Sequence, residues 1–272
     1  MPHRLHALTE GCDRARVLTD LLMLSGEDPD ELFVSEDKKY IHSVLGLKDE
    51  RTGTPFGNLV FTLWVNEKEK HIEIKDLDVV INNEETASLE FLALRAGSSD
   101  SNEYYHVQTE DGAHLIIETV NRHAVEGSVL NTTREVKLSA FPFSLTVYDD
   151  IWEVSRAFGF AEGIHVKNTD LVVQGMSETF TMTGGVLGDE KDDTNYTFML
   201  AKVLSFRDVT WKLGELILNF IIARARTAAG VMPVVLSRDY FDLEKLKVGS
   251  ILAMNADIKA LMAWQKKRDK GE

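Results

Sequence analysis

Apolar and polar residues alternate along most of the chain between Tyr40 and Thr181, with the period of two that is typical of β-strands. Short runs rich in β-branched and aromatic residues repeat there, separated by turn formers such as Asp111-Gly112, a strong hairpin signal. The predicted strands are residues 57–65, 71–81, 87–95, 104–108, 114–120, 134–138, 143–148 and 171–173. The pattern predicts a mainly β fold of barrel or sandwich units with a few flanking helices.

Four segments have the apolar spacing of a helix instead. Residues 5–22 place Leu5, Leu8, Cys12 and further apolar residues on one face, before Ser25-Gly26 and Pro29 stop the helix. A second helix is predicted over 150–158, capped by Asp149 or Asp150. A third is predicted over 239–247, and a fourth from residue 258 toward the chain end.

The polar, acidic and glycine-rich stretch 182–195 is predicted to be a linker or a long exposed loop. It separates an N-terminal helical segment (1–30) and a β-rich domain (31–181) from a second β domain (196–272) with strands over 196–207, 214–226, 232–237 and 249–255. The charge balance also changes there. Residues 1–190 hold 16 Lys+Arg against 34 Asp+Glu (−18), and residues 191–272 hold 14 against 10 (+4). The acidic part is expected to repel nucleic acid and anionic membrane, whereas the C-terminal part need not.

Two stretches of the chain resemble each other. Residues 44–49 (Val-Leu-Gly-Leu-Lys-Asp) resemble residues 203–208 (Val-Leu-Ser-Phe-Arg-Asp), and in each case a glycine, Gly57 or Gly214, then opens an alternating strand. One interpretation is an internal duplication of a β unit. The other is that any two β-hairpins look alike.

The order of predicted elements after Phe198 is strand, strand, short strand, helix, strand, and the phrase 246–254 (Leu-Lys-Val-Gly-Ser-Ile-Leu-Ala-Met) joins the last two. This region resembles the oligonucleotide/oligosaccharide-binding (OB) fold, in which a Leu packs under the barrel and a Gly turns the chain into the fourth strand. The resemblance covers about 60 residues and implies an OB-like barrel. It also implies a fifth strand after Ala260. The sequence there suits a helix, so either another part of the chain supplies that strand or the barrel is not an OB fold.

OB folds bind ligands across their second and third strands, where aromatic rings stack on bases and basic residues meet phosphates. The resemblance implies five ligand-binding candidates here: Phe206, Trp211, Phe220, Arg224 and Arg226. Each also has a structural interpretation. The two Phe are also typical of a buried core. The two Arg share a strand face and are also typical of a solvent-exposed face, or of an edge strand whose charges prevent pairing with another strand. Trp211 lies in a predicted turn.

A few other motifs bear on metal or covalent chemistry. Glu73-Ile74-Lys75 and Glu135-Val136-Lys137 match a carboxylate–lysine pair used by metal-dependent nucleases, but a cross-strand ion pair is the commoner meaning. The acidic segment 189–195 does not match a calcium-binding EF-hand loop, because it has no Gly at the sixth position and no Glu at the twelfth. No histidine pair has the His-Glu-x-x-His spacing, and neither a phosphate-binding loop nor a nucleophile elbow occurs. No catalytic residue, metal or cofactor is predicted.

Composition narrows the class of protein further. A single cysteine, Cys12, excludes an internal disulfide framework and a zinc site built from several thiolates. No apolar run is long enough for a membrane helix, and none near the start suits a signal peptide, so we expect a soluble, cytoplasmic chain. The predicted function is that of a non-enzymatic binding module, whose C-terminal barrel takes single-stranded nucleic acid or a protein partner. The alternative is a structural β protein that self-associates into a homo-oligomer, and a metal-dependent hydrolase is a distant third.

Overall fold

A computed structural model describes residues 17, 20, 21, 23, 24, 28–35, 38–66, 71–95, 103–125, 127–160, 164, 165, 172, 173, 175–183 and 195–262. The prediction of a mainly β fold is confirmed. The described elements are β1 Glu31–Val34, β2 Tyr40–Lys48, β3 Pro55–Asn66, β4 His71–Ile81, β5 Ala87–Leu94, β6 Glu103–Thr109, β7 His114–Thr119, β8 Thr133–Tyr148, the helix α1 Ile151–Ala157, β9 Ile164–His165, β10 Val172–Val173, β11 Thr181–Thr183, β12 Thr197–Leu213, β13 Leu216–Thr227, β14 Gly230–Ser237 and β15 Ile251–Met262.

Strands β1 to β4 form an antiparallel four-stranded sheet in chain order. Asp49 ties its β2–β3 turn to the larger sheet. Its carboxylate accepts hydrogen bonds from the Thr52 hydroxyl (2.7 Å) and the Thr210 backbone amide (3.0 Å). These two bonds, that of Thr52 first, hold the pKa of Asp49 below its ordinary value. The turn is thereby fixed against β12.

The second sheet has nine strands in the order β11-β12-β13-β14-β8-β15-β7-β6-β5, and β12 also pairs with β15 and β5 with β8. Two nearly closed rings of five strands result. One runs β12-β13-β14-β8-β15 and back to β12, and the other runs β5-β6-β7-β15-β8 and back to β5. Both rings share β8 and β15, so each of these strands completes the ring of the other half.

The two halves, β5–β8 and β12–β15, repeat one pairing scheme. In the first half β5 meets β8 with Ala87 opposite Val136, and in the second half β12 meets β15 with Thr197 opposite Ala256. Among the described strands, only two pairs are parallel: β7 with β15, and β14 with β8. In each pair, the third strand of one half lies beside the last strand of the other half. The predicted resemblance between residues 44–49 and 203–208 does not coincide with these halves, and a duplication stays a prediction.

Two large apolar clusters account for most of the buried side chains. The inner cluster lies on one side of the nine-stranded sheet and takes alternate residues of both shared strands, including Leu138, Ala140, Ile258 and Ala260. The contact cluster joins the opposite side of that sheet to the four-stranded sheet. Its members include Leu59, Phe61 and Val79 of the smaller sheet and Phe141, Trp211, Phe220 and Val235 of the larger one.

Several sequence predictions are confirmed. The helix near 150–158 is α1, and the Asp150 side chain caps it by accepting a hydrogen bond from the Glu153 amide (2.9 Å). Asp111-Gly112 forms the β6–β7 turn, with Gly112 at φ +81°. Of the predicted N-terminal helix, residues 17, 20, 21, 23 and 24 are described and helical. Most of the predicted linker, residues 184–194, lies outside the described residues.

The helix predicted over 239–247 is wrong, because this segment is a series of turns. Side-chain hydrogen bonds hold the turns. The Ser250 hydroxyl accepts from the Lys247 amide (2.9 Å) and donates to the Lys245 carbonyl (2.8 Å). Leu243 and Leu246 still pack against the inner cluster, as the apolar pattern required, but a helix is not needed to bury them.

The helix predicted from residue 258 is wrong as far as Met262, and later residues lie outside the described part of the chain. Strand β15 runs through this segment and pairs with β8 to the end, with Met262 opposite Val136. Alternation explains the difference, because Ile258, Ala260 and Met262 enter the inner cluster while Lys259 faces away from it. Tertiary pairing therefore overrides the local helical spacing.

The nine-stranded sheet draws strands from both predicted domains, 31–181 and 196–272. The division of the chain into these domains stays a prediction.

Candidate functional site

The structure places two of the five predicted ligand residues in the core. Trp211 lies in β12, not in a turn, and Phe220 lies in β13; both belong to the contact cluster, where they are 4% and 1% exposed. The ring of Phe56 packs edge-on against both, at centroid distances of 6.3 Å and 5.5 Å. Neither ring presents a face on which a base could stack.

The other three predicted residues lie on two opposite faces of the sheet. Phe206 is 40% exposed and pairs with Ala223, so it shares a face with that residue. Arg224 and Arg226 are exposed on the other face of β13. The Arg224 guanidinium forms an ion pair with Glu85. The structure therefore does not bring the five residues together in one trough, and their role as ligand residues stays a prediction.

Two lysines of the C-terminal part of the chain also contact carboxylates. Lys202, which pairs with Arg226 across the strands, contacts the Glu178 carboxylate at 2.8 Å and 2.9 Å. Lys245 contacts Glu153 at 2.5 Å. Such pairs reduce the positive potential that a phosphate backbone would meet.

The first predicted carboxylate–lysine motif is a surface ion pair. The Glu73 carboxylate contacts the Lys75 ammonium at 2.5 Å and His71 Nε2 at 2.8 Å. The hydrogen bond from His71, followed by that from Lys75, lowers the pKa of Glu73. In the second motif, Glu135 and Lys137 are both exposed on β8.

A buried charged cluster, which the sequence analysis missed, lies where the four-stranded sheet meets the shared strand β15. The Lys259 ammonium donates hydrogen bonds to Asp78 Oδ1 (2.8 Å) and to Glu118 Oε2 (2.6 Å). The side chains of all three residues are at most 3% exposed. Asp76 is also buried, and one oxygen each of Asp76, Asp78 and Glu118 lie within 4.8 Å of one another. We call Asp76, Asp78, Glu118 and Lys259 the charged cluster.

Strand geometry explains how four chain segments meet in this cluster. Asp76 and Asp78 are two residues apart on β4 and so share a face. Lys259 pairs with Glu118 of β7 on one side and with Ser139 of β8 on the other. Paired residues point to the same face of a sheet, so Glu118, Lys259 and Ser139 all face the four-stranded sheet.

Ser139 is a further polar group at this contact. Its side chain is fully buried, and its Oγ has no hydrogen-bond partner among the described residues. A buried hydroxyl without a partner normally costs about 1–3 kcal/mol, so such a group calls for an explanation.

The face of the four-stranded sheet that carries Asp76 and Asp78, which we call its polar face, also carries a histidine. His42 and Asp76 lie on either side of Thr62 in one row across three strands, and His42 Nδ1 is 3.2 Å from the Thr62 hydroxyl. Burial, and secondly the charge of His123, lower the pKa of His42 to about 4. The ring of His123 stacks on that of Tyr40 at 3.7 Å. His42 is therefore a neutral imidazole at neutral pH.

A signal for this face was present in the sequence. Strand β4 reads Lys-Asp-Leu-Asp-Val-Val, and strand β15 carries one lysine within Ile-Lys-Ala-Leu-Met. Charged residues inside a run that is otherwise buried are seldom found without a partner. The pattern could have identified Asp76, Asp78 and Lys259, but not which of them meet.

The outer end of the opposite face of the four-stranded sheet is apolar and exposed. Cross-strand pairs place Val34, Ile41, Leu63 and Ile74 in one row over all four strands. Leu32, Val34, Ile72 and Ile74 are 56%, 54%, 58% and 39% exposed. We call Leu32, Val34, Ile41, Leu63, Ile72 and Ile74 the outer apolar row. Of the described strands, only β2 pairs with β1, which is thus an edge strand.

Comparison with known proteins returned no matching family model, no matching curated protein and no matching solved structure. Within the described part of the chain, no helix has the length and apolar character needed to cross a membrane.

Proposed function

We propose that this protein is a non-enzymatic assembly module that associates with a second copy of itself through strand β1. The observation that carries the proposal is the outer apolar row, which ends at the edge strand with Leu32 and Val34 more than half exposed. Contiguous exposed apolar residues are typical of interaction surfaces, and an unpaired strand edge offers backbone hydrogen bonds to another strand.

The sequence of β1 suits antiparallel pairing with its own copy. If Phe33 sits on the two-fold axis, Leu32 of one copy lies opposite Val34 of the other, on the same face. The outer apolar rows of both copies then join into one. A two-fold contact of this kind closes on itself and limits assembly to a dimer.

Single-stranded nucleic acid is the weaker candidate for a ligand. Phe206 lies on the opposite face from Arg224, and Arg224 and Lys202 are matched by carboxylates.

The OB resemblance is itself a proposal. It is supported by the five-strand ring β12-β13-β14-β8-β15, in which β8 takes the place of a fifth strand supplied from elsewhere in the chain.

The experiment is sedimentation velocity of the full chain at micromolar concentrations, with Val34→Lys as the test variant. A lysine on the edge strand should oppose pairing, and we expect the dimer to weaken by at least about tenfold. Added salt should strengthen the wild-type dimer, because each chain carries a net charge of −14 and screening reduces the repulsion.

Ile217→Lys is the matched control, since Ile217 is also more than half exposed (64%, against 54% for Val34) but lies on β13 of the other sheet. It should leave the dimer unchanged. A wild-type chain that remains monomeric, or a dimer that resists Val34→Lys, would refute the proposal. Salt-sensitive binding of single-stranded nucleic acid lost in Arg224→Ala and Arg226→Ala would favour the weaker candidate.

A further inference from the structure

We infer that the charged cluster is a binding site for one hard divalent cation, such as Mg²⁺, Mn²⁺ or Ca²⁺. Asp76, Asp78 and Glu118 bring three carboxylates together at the contact between the two sheets. Oxygen donors of this kind, on rigid strands, are the ligands that these cations prefer. The site is independent of the proposed dimer contact, which uses the other face of the four-stranded sheet.

The buried Ser139 hydroxyl is the second observation that points to a ligand. It faces the cluster from β8, directly opposite Lys259, and its Oγ has no hydrogen-bond partner among the described residues. A hydroxyl oxygen is a suitable further ligand for a hard cation. Occupancy of the site, directly or through a bound water, would give this oxygen the partner that a buried polar group requires.

Lys259 shows that the site attracts positive charge. Its ammonium lies 2.8 Å from an Asp78 oxygen and 2.6 Å from a Glu118 oxygen, which are distances of charge-assisted hydrogen bonds. A divalent cation bound by the same two carboxylates would compete with this ammonium. Lys259 therefore acts as an internal counter-ion that sets how tightly the metal binds.

A cavity lies on the side of the four-stranded sheet that carries the cluster. It has a volume of about 250 Å³ and is lined by the apolar side chains of Val44, Val60 and Leu261 and by polar groups that include Asp30, Asn58 and Asn82. Val60 pairs with Asp78 across the strands, and Leu261 lies two residues after Lys259 on the same face of β15. The cavity thus adjoins the cluster, and we expect the cation to enter from this side.

The test is titration of chelator-treated full chain with Mn²⁺ and with Ca²⁺, followed by calorimetry and thermal unfolding. The wild type should bind one ion per chain. Asp78→Asn and Glu118→Gln should each weaken binding by at least about tenfold. At a hundredfold excess over its Kd, the ion should raise the Tm of the wild type by roughly 5–10 °C.

Lys259→Met distinguishes a metal site from a plain ion pair. Without the competing ammonium, we expect the ion to bind at least about tenfold more tightly and to restore the Tm that this variant loses. Lys202→Met is the matched control, because Lys202 lies on β12 of the same sheet as Lys259 and its more exposed ammonium contacts Glu178. It should leave the metal affinity unchanged.

Three results would overturn the inference: no stoichiometric binding to the wild type, binding that survives both carboxylate variants, or a Lys259→Met chain that neither ion stabilises. If Lys259→Met does not fold, the wild-type and carboxylate titrations still decide. His114→Ala separates binding at the surface His106–His114 pair, whose ring nitrogens are 3.0 Å apart, from binding at the cluster. The proposed dimer has its own readout, since Val34→Lys should leave the metal affinity unchanged.

Discussion

The two faces of the four-stranded sheet meet the same larger sheet in different ways. One face contributes Leu59, Phe61 and Val79 to the apolar contact cluster. The other presents His42, Asp76 and Asp78, of which Asp78 contacts Lys259. The apolar contact tolerates imperfect geometry, because the hydrophobic effect is not directional. The polar contact requires each charge to have its partner, so it fixes how the sheets align and depends on ions and pH.

The largest expected effect is on the polar face. Lys259→Met should lower the free energy of unfolding by about 3–5 kcal/mol in metal-free buffer, because it leaves buried carboxylates without their ammonium. Adding Asp78→Asn and Glu118→Gln should restore part of this loss, since the buried charges are then removed together. Denaturant titration of both variants measures the difference. An equal loss in the single and the triple variant would contradict this account of the polar contact.

A substitution on the apolar face should lower the free energy of unfolding by a comparable or smaller amount, and this loss should not depend on ions. Leu59 is fully buried in the contact cluster, and Leu59→Ala should cost about 2–5 kcal/mol through lost burial and a residual cavity. The same denaturant titration at low and high salt should give the same loss. A salt-dependent loss would mean that the two faces are energetically coupled.

The next largest effect is the dependence of stability on pH, which should come from His42 on the polar face. The pKa of His42 falls from an ordinary 6.5 to about 4 in the folded chain, so between these values the unfolded chain binds a proton that the native chain does not. Stability should therefore fall as the pH drops from about 6.5 to 4, by at most about 3 kcal/mol from this group.

The variant His42→Gln should lose less stability than the wild type over that pH range. Unfolding midpoints at pH 8 and at pH 4.5 provide the comparison, with Leu59→Ala as the control that keeps the wild-type slope. Identical slopes for His42→Gln and the wild type would show that the ring is protonated without cost in the native state.

The smallest effect belongs to neither face. Arg224 is exposed and forms its ion pair with Glu85 at the surface, so Arg224→Ala should change stability by less than about 1 kcal/mol. Thermal unfolding at low salt is the most sensitive measurement. A larger loss would mean that this ion pair, and not only the buried contacts, anchors β13.

Local pattern was enough to predict the mainly β fold, because alternation marks strands such as β6 wherever one face is buried. It failed for residues 258–262, whose spacing fits a helix until β8 supplies hydrogen bonds along the whole segment. The charged cluster was missed for a related reason. Asp78, Glu118 and Lys259 are far apart in sequence. They become neighbours only because β7 pairs with β15 and the four-stranded sheet packs against β15. No property of a single segment encodes such a meeting.

Because both rings share β8 and β15, neither ring can close until the end of the chain has been made. During translation, β5 to β8 emerge first but cannot close their ring until β15 has left the ribosome, after residues 149–250 have been made. The nascent first half therefore waits with an open strand edge, which makes it dependent on slow, long-range closure and exposed to mispairing. A truncated chain that ends after Tyr148 would retain that open edge permanently.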